Sequence, residues 1–286
     1  MSDSALVSTR WLADRLATTA QERLVVIDGT WHMPDAGRDA DAEYLAAHIP
    51  AALRIDFGRL RDTHSPLPLT LPSPDAFSAH VGQLGIGQDH TLVIYDSNGL
   101  FSAPRLWWMF RVMGHERVHV LDGGMTAWQA EGRPVESGPP PARRPVPYAA
   151  RFRPELLRTL EQMRHCQAAG SEQIADGRGA ASFNGQSKGG GHIPGSYSLP
   201  WSTLVDAATG TLLPADTLAQ RLRDAGVDPA RPLVTTCGGG VVACTVALAL
   251  HELGLRTVPV YDGSWNEWGS LPDTPKAAVP DLRSEP

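Results

Sequence analysis

Pro232-Leu-Val-Thr-Thr-Cys237-Gly-Gly-Gly-Val-Val-Ala-Cys-Thr-Val-Ala-Leu-Ala-Leu-His251 is the stretch on which the fold class turns. A short β-rich apolar run ends at Cys237, three glycines follow, and an apolar segment of helical length comes next. That order predicts a strand, a tight loop and a helix, with a thiol at the carboxyl end of the strand. Consecutive glycines let the backbone curl until successive N–H groups converge on one point. The helix start behind them adds partial positive charge. Such a setting stabilises a thiolate, the reactive form of cysteine.

Outward from this stretch the chain repeats itself. The first half reads Leu24-Val-Val-Ile-Asp28-Gly, His48-Ile-Pro50, Thr91-Leu-Val-Ile-Tyr-Asp96 and Val118-His-Val-Leu-Asp122-Gly-Gly, with Trp128 beyond. The second half reads Gln173-Ile-Ala-Asp176-Gly, His192-Ile-Pro-Gly195, Leu233-Val-Thr-Thr-Cys237 and Val258-Pro-Val-Tyr-Asp262-Gly, with Trp265 and Trp268 beyond. Asp96 precedes Asp122 by 26 residues, and Cys237 precedes Asp262 by 25. Four landmarks in one order mark two copies of one domain. Each copy alternates strand-like runs with helical patterns over Thr9–Ala17, Arg105–Met113, Thr217–Asp224 and Val242–His251. This alternation predicts an α/β fold with a mainly parallel sheet flanked by helices. Ligands of such sheets sit beyond the carboxyl ends of the strands, where Cys237 and its counterpart Asp96 fall. A carboxylate cannot do a thiol's nucleophilic work, so the first copy reads as non-catalytic. The proline-dense run Pro134–Pro147 forbids regular helix and favours an extended connector. The expected organisation is a non-catalytic domain over residues 1–137, a linker over 138–150 and a catalytic domain over 151–286.

Of the 286 residues 42% are hydrophobic and 20% charged, so two packed cores are expected. The net charge of −6 gives no electrostatic case for nucleic acid. No apolar run approaches membrane-spanning length, and the first residues carry no signal-peptide pattern, so a cytoplasmic protein is expected. Three cysteines make a disulfide framework improbable. No zinc-type Cys/His spacing occurs, and no metal or organic cofactor is implied.

The chain resembles the tandem-domain sulfurtransferases of the rhodanese superfamily, most of all their 3-mercaptopyruvate branch. The resemblance is carried by Glu43-Tyr-Leu-Ala-Ala-His-Ile-Pro50, Ser102-Ala-Pro-Arg-Leu-Trp-Trp-Met-Phe-Arg111, Leu121-Asp-Gly-Gly-Met-Thr-Ala-Trp128, Gly191-His-Ile-Pro-Gly195, Cys237-Gly-Gly-Gly-Val-Val-Ala-Cys244 and Tyr261-Asp-Gly-Ser-Trp-Asn-Glu-Trp268. It covers about Ser8 to Pro275. It implies a sulfur relay in which Cys237 becomes a persulfide and an acceptor then removes the sulfur. The implied donor is small, of the 3-mercaptopyruvate or thiosulfate type. The implied acceptor is a thiol, cyanide or a thioredoxin-like protein. Gly238, Gly239, Gly240, Val241 and Val242 would form the substrate loop. Trp31 would wall the active cleft, a role to be set against ordinary packing.

The chain departs from the family at named positions. The mercaptopyruvate branch usually carries Cys-Gly-Ser-Gly-Val-Thr, so Gly239 and Val242 remove two hydroxyls. The aspartate of the first domain corresponds to Asp62, but Leu69 stands where a histidine is usual, with His64 nearby. The two usual substrate arginines give way to Ser182 and, before the His-Ile-Pro-Gly motif, to Lys188. A lysine attracts a carboxylate without the planar two-point grip of arginine. The thiosulfate branch's Arg-Lys pair is missing too. A catalytically weak or inactive sulfur-carrier or docking module is therefore the alternative. A phosphatase of this fold needs Cys-x5-Arg, and Ala243 stands at that position, so no guanidinium clamps a phosphate. Cys244 reads as a small core residue and Cys166 as incidental. His48 and His192 recur in both copies and read as structural, as do Asp28 and Asp176.

Overall fold

The computed structural model describes residues 4–18, 23–187 and 189–278. Lys188 and the tail from residue 279 lie outside them. The chain forms two compact units, residues 1–154 with 205–212 and residues 155–204 with 213–286.

The first unit carries strands β1 (Leu6–Val7), β2 (Leu24–Asp28), β3 (Leu53–Arg54), β4 (Thr91–Tyr95) and β5 (Val118–Leu121) in the order β1-β5-β4-β2-β3. All pairings are parallel. Helices α1 (Thr9–Leu16), α2 (Ala40–Ala46), α3 (Pro74–Gln83), α4 (Ala103–Val112) and α5 (Gly124–Ala130) cross between them. Every residue of β2 is buried, as a central parallel strand with both faces covered requires. One side of the core gathers Leu12, Val26, Val93, Leu121 and Trp128. On α4, Trp107 and Trp108 are each 1% exposed, the packing role their setting predicts. The run 138–153 has no helix or strand. Three of its backbone N–H groups dock on this unit, Val146 on the Gly82 carbonyl and Arg151 and Arg153 on those of Met113 and Val112.

The second unit repeats the plan with β6 (Leu157–Arg158), β7 (Gln173–Asp176), β8 (Tyr197–Ser198), β9 (Leu233–Thr236) and β10 (Val260–Tyr261), ordered β6-β10-β9-β7-β8. Its pairings are again parallel. Its helices are α6 (Leu160–Ala169), α7 (Ala180–Phe183), α8 (Ala215–Asp224), α9 (Val242–Glu252) and α10 (Ser264–Trp268). Thr159 opens α6 through a reciprocal capping box with Gln162. From Ala243 to His251 every residue of α9 is buried, so its apolar composition marks a core helix. Cys166, on a mostly polar helical stretch, packs into this core with Ile174 and Val234. The expected tandem α/β architecture is therefore present, strand for strand in both copies.

The structural histidines repeat as closely. His48 stacks on Tyr44 at 4.2 Å and meets the Tyr44 carbonyl through Nδ1. His192 stacks on Phe183 at 3.9 Å and meets the Phe183 carbonyl the same way. Trp128 and Trp268 each donate their indole N–H to a proline carbonyl, of Pro134 and Pro275. Among the described residues no helix is long and apolar enough to cross a membrane.

Candidate active site

Cys237 follows directly on β9 and is 2% exposed. Gly238 to Val241 bend the chain, with Gly240 at φ +79°, and α9 begins at Val242. A left-handed residue is needed to reverse the chain within this short connection, and glycine adopts it without steric cost. Val241 sits at the N-cap of α9 and offers no side-chain hydrogen bond to it. Three bonds tie the backbone of Cys237 and Gly238 to the start of α10. The Cys237 N–H donates to Ser264 Oγ at 3.2 Å, its carbonyl accepts from the Trp265 N–H at 2.9 Å, and the Gly238 carbonyl accepts from the Asn266 N–H at 2.8 Å.

Arg178 was not singled out by the sequence, yet it stands beside this loop. Its side chain closes on Asp176 through Nε at 3.0 Å and Nη2 at 2.6 Å. Nη2 also donates to the Gly191 carbonyl at 2.7 Å, and the guanidinium lies 4.8 Å from the centre of the Trp265 ring. A methyl group built on Gly238 would lie 3.9 Å from Arg178 Cδ. Both Asp176 oxygens are thereby engaged, and the arginine becomes a rigid wall. The spacing Asp176-Gly-Arg178 after a strand was the available signal.

Ser182, on α7, shares a 3.2 Å hydrogen bond with Ser187. Cys244 is fully buried and donates its thiol to the Gly240 carbonyl at 3.2 Å, one turn back. Cys166 donates to the Glu172 carbonyl at 3.6 Å, and burial pushes its thiol up from the ordinary range. None of the three cysteines is joined in a disulfide. Among the described residues no cluster of three or more His, Cys, Asp or Glu side chains suits a metal ion.

The first copy shows what such a loop does when filled. Asp96 follows β4 as Cys237 follows β9, and it is 1% exposed. Its Oδ1 accepts from the N–H groups of Asn98 and Leu100, both at 3.1 Å. Its Oδ2 accepts from those of Ser102 and Ala103, both at 2.7 Å, at the start of α4. Four main-chain donors thus surround one carboxylate, aided by the helix terminus. Gly99, at φ +66°, takes the place of Gly240, three residues past the strand-end side chain.

Trp31 belongs to the first unit, in a layer with Phe57 and Phe101 at 5.6 and 6.2 Å. Its N–H donates to Ser102 Oγ, and its carbonyl accepts from Asn98 Nδ2, so it is held to the Asp96 loop. In the same unit the His64 side chain is 96% exposed and 3.5 Å from Asp62, while the Leu69 carbonyl accepts from Arg105 at 2.6 Å. A depression of about 540 Å³ at the opposite ends of the first unit's strands is lined by Gln88, Gly114, Glu116, Arg117, Arg151 and Arg153. It contains none of the candidate residues.

The rhodanese-like domain model matches residues 9–131 and 158–271. The 3-mercaptopyruvate sulfurtransferase of Rattus norvegicus is 39% identical over 273 residues, spanning 92% of this chain and 91% of its own length. The thiosulfate sulfurtransferase of Gallus gallus is 40% identical over 271 residues, spanning 92% and 93%. Among solved structures, the 3-mercaptopyruvate sulfurtransferase SseA of Escherichia coli aligns with a TM-score of 0.84 at 37% identity, covering 92% of this chain and 99% of its own.

Proposed function

Since this chain belongs to the rhodanese-like family and is a sulfurtransferase of it, we propose that Cys237 is its sulfur-carrying residue. The Cys237 thiolate attacks the outer sulfur of a small donor of the thiosulfate or 3-mercaptopyruvate type. The bond from that sulfur to the rest of the donor breaks, and its electron pair leaves with sulfite or with the enolate of pyruvate, which takes a proton. An acceptor nucleophile, a thiol or cyanide, then attacks the outer sulfur of the persulfide. The S–S electron pair returns to Cys237, which leaves as thiolate. One residue so divides a difficult transfer into two easier displacements.

A single observation carries this reading, the four N–H groups around Asp96. A carboxylate oxygen stands three bonds from Cα, and so does the outer sulfur of a cysteine persulfide. The copy with aspartate thus holds an anion at the bond distance where the copy with cysteine would hold its terminal sulfur. Main-chain donors fixed in advance stabilise such charge without rearranging during reaction. Gly238, Gly239, Gly240, Val241 and Val242 supply the corresponding loop, with Ser182 of the same unit as the candidate that meets the donor. Three cysteines, none in a disulfide, suit a reducing compartment such as the cytoplasm.

Incubation with thiosulfate or with 3-mercaptopyruvate, followed by intact mass measurement, tests the assignment. The wild type gains one sulfur atom, cyanide or a dithiol removes it with turnover, and Cys237→Ser gains none. Sulfur uptake by Cys237→Ser equal to that of wild type overturns it. Uptake by wild type without turnover to any acceptor would instead make the chain a sulfur carrier, the reading that the missing loop hydroxyls at Gly239 and Val242 favour.

A further inference from the structure

Ser264 is fully buried, and its backbone has φ +51°, a conformation that residues with a side chain rarely adopt. Its counterpart in the first copy is Gly124, the second residue after Asp122 as Ser264 is the second after Asp262. Gly124 has φ +52°, and a methyl group built on it would overlap the Asp96 carbonyl. The two residues therefore share a left-handed φ, although the residues before them differ, Gly123 at φ +76° and Gly263 at φ −62°. They also share one bond, from the following residue's N–H to the carbonyl of the strand-end residue, at 2.9 Å in each copy. Glycine suffices for that conformation in the copy that ends its strand with aspartate. The copy that ends its strand with cysteine carries a serine in the same place.

The hydroxyl is what the serine adds. Ser264 Oγ donates to the Tyr261 carbonyl at 2.8 Å, which fixes its hydrogen and turns its lone pairs towards the Cys237 N–H, 3.2 Å away. The Trp265 N–H holds the other face of the same residue through its carbonyl. Cys237 is thus gripped by N–H and C=O together, which fixes the direction of its Cα–Cβ bond. A sulfur that must meet a donor in line and then settle among main-chain donors gains from such orientation.

We propose that Ser264 is a positioning residue for the Cys237 nucleophile, its left-handed backbone held so that the hydroxyl can relay between the Tyr261 carbonyl and the Cys237 N–H. This rests on Cys237 being the sulfur-carrying residue. Loss of the relay lowers kcat about tenfold, the usual scale for one hydrogen bond in a transition state. It leaves KM for the donor within about twofold, because the hydroxyl touches Cys237 and no donor atom.

Ser264→Gly and Ser264→Ala separate this role from a purely conformational one. Both remove the hydroxyl, but only glycine relieves the left-handed backbone. Each variant is measured for kcat and KM, for thermal midpoint and for the rate at which iodoacetamide alkylates Cys237, read by mass after digestion. The expected result is the same tenfold loss of kcat and the same slowed alkylation in both, with the glycine variant melting at or above wild type. Wild-type kcat and alkylation in Ser264→Gly overturn the proposal, because the hydroxyl would then be dispensable. Activity losses that follow the thermal midpoints, large in alanine and absent in glycine, overturn it as well. The alkylation measurement needs no sulfur donor. A wild type that takes up no sulfur defeats the persulfide assignment, and alkylation still decides whether Ser264 orients the thiol.

Discussion

His115 is 1% exposed, with Nε2 at 3.0 Å from the His90 carbonyl and Nδ1 at 3.3 Å from the Tyr148 hydroxyl. The carbonyl can only accept, so Nε2 carries the proton and Nδ1 accepts from the phenol. Desolvation opposes a second proton, and although the His90 carbonyl works against it, the imidazole is pushed down to about 4. The folded value lies below the unfolded one, near 6.5. Stability from this group is therefore fully present above pH 6.5 and is lost as pH falls towards 4, where the unfolded chain binds a proton the folded chain refuses. The loss is of the order of 3 kcal/mol. Urea midpoints measured between pH 7.5 and 4.5 should fall more steeply for wild type than for His115→Gln, which cannot titrate. Parallel profiles would show that His115 carries none of the acid sensitivity. At this scale the sequence was legible where chemistry is local. Cys237 and Asp96 follow strand-like runs, and their places were plain. The engagement of Arg178 with Asp176 and the backbone of Ser264 were not, since Asp262-Gly-Ser264 reads as an ordinary turn.

Among the elements, the loop after β4 and the loop after β9 differ in what guards them. In the first copy the guard is Arg38, just ahead of α2. Arg38 donates to Asn98 Oδ1 at 2.9 Å and to Ser97 Oγ at 3.3 Å, the two residues that follow Asp96. It is fixed there by two bonds to Glu43, at 2.7 and 2.8 Å. Burial works to raise the Glu43 carboxyl, but the hydrogen bonds from Arg38 and His32 outweigh it and hold the group below its usual range. In the second copy the family resemblance puts a substrate arginine at position 182, where this chain has a serine on α7. Ser182→Arg should therefore raise kcat/KM for an anionic donor about tenfold, chiefly through a lower KM. Steady-state kinetics with thiosulfate and with 3-mercaptopyruvate checks this, and an unchanged KM for both would show that position 182 does not read donor charge. Helix and strand types were legible because buried parallel strands are continuously apolar and α9 is apolar all round. The helix starts were less so. The expected helix from Arg105 begins at Ala103, with Pro104 in its first turn, where a missing N–H costs nothing.

At the scale of the whole molecule, the repeat was visible from four landmarks, and the parallel sheets followed from strand–helix alternation. The place of Val205–Leu212 could not be read, because a polar loop carries no periodicity to say which core it covers. These residues belong to the first unit. The Leu212 N–H donates to Asp122 Oδ1 at 2.8 Å, and a methyl group on Gly210 would lie 3.0 Å from Gly99 Cα. Asp122→Ala removes an acceptor from this docked segment and should speed limited proteolysis within residues 206–211 about tenfold. Mass mapping of the first cleavage reads this, and an unchanged rate would mean that the segment is held by packing alone.

The polypeptide accordingly passes between its two bodies at three places, after Pro154, after Leu204 and after Leu212. A cut within the proline-rich run would leave residues 205–212 of the first unit covalently joined to the second. A fragment begun at residue 155 would carry that borrowed octapeptide with it, stripped of the unit to which it belongs.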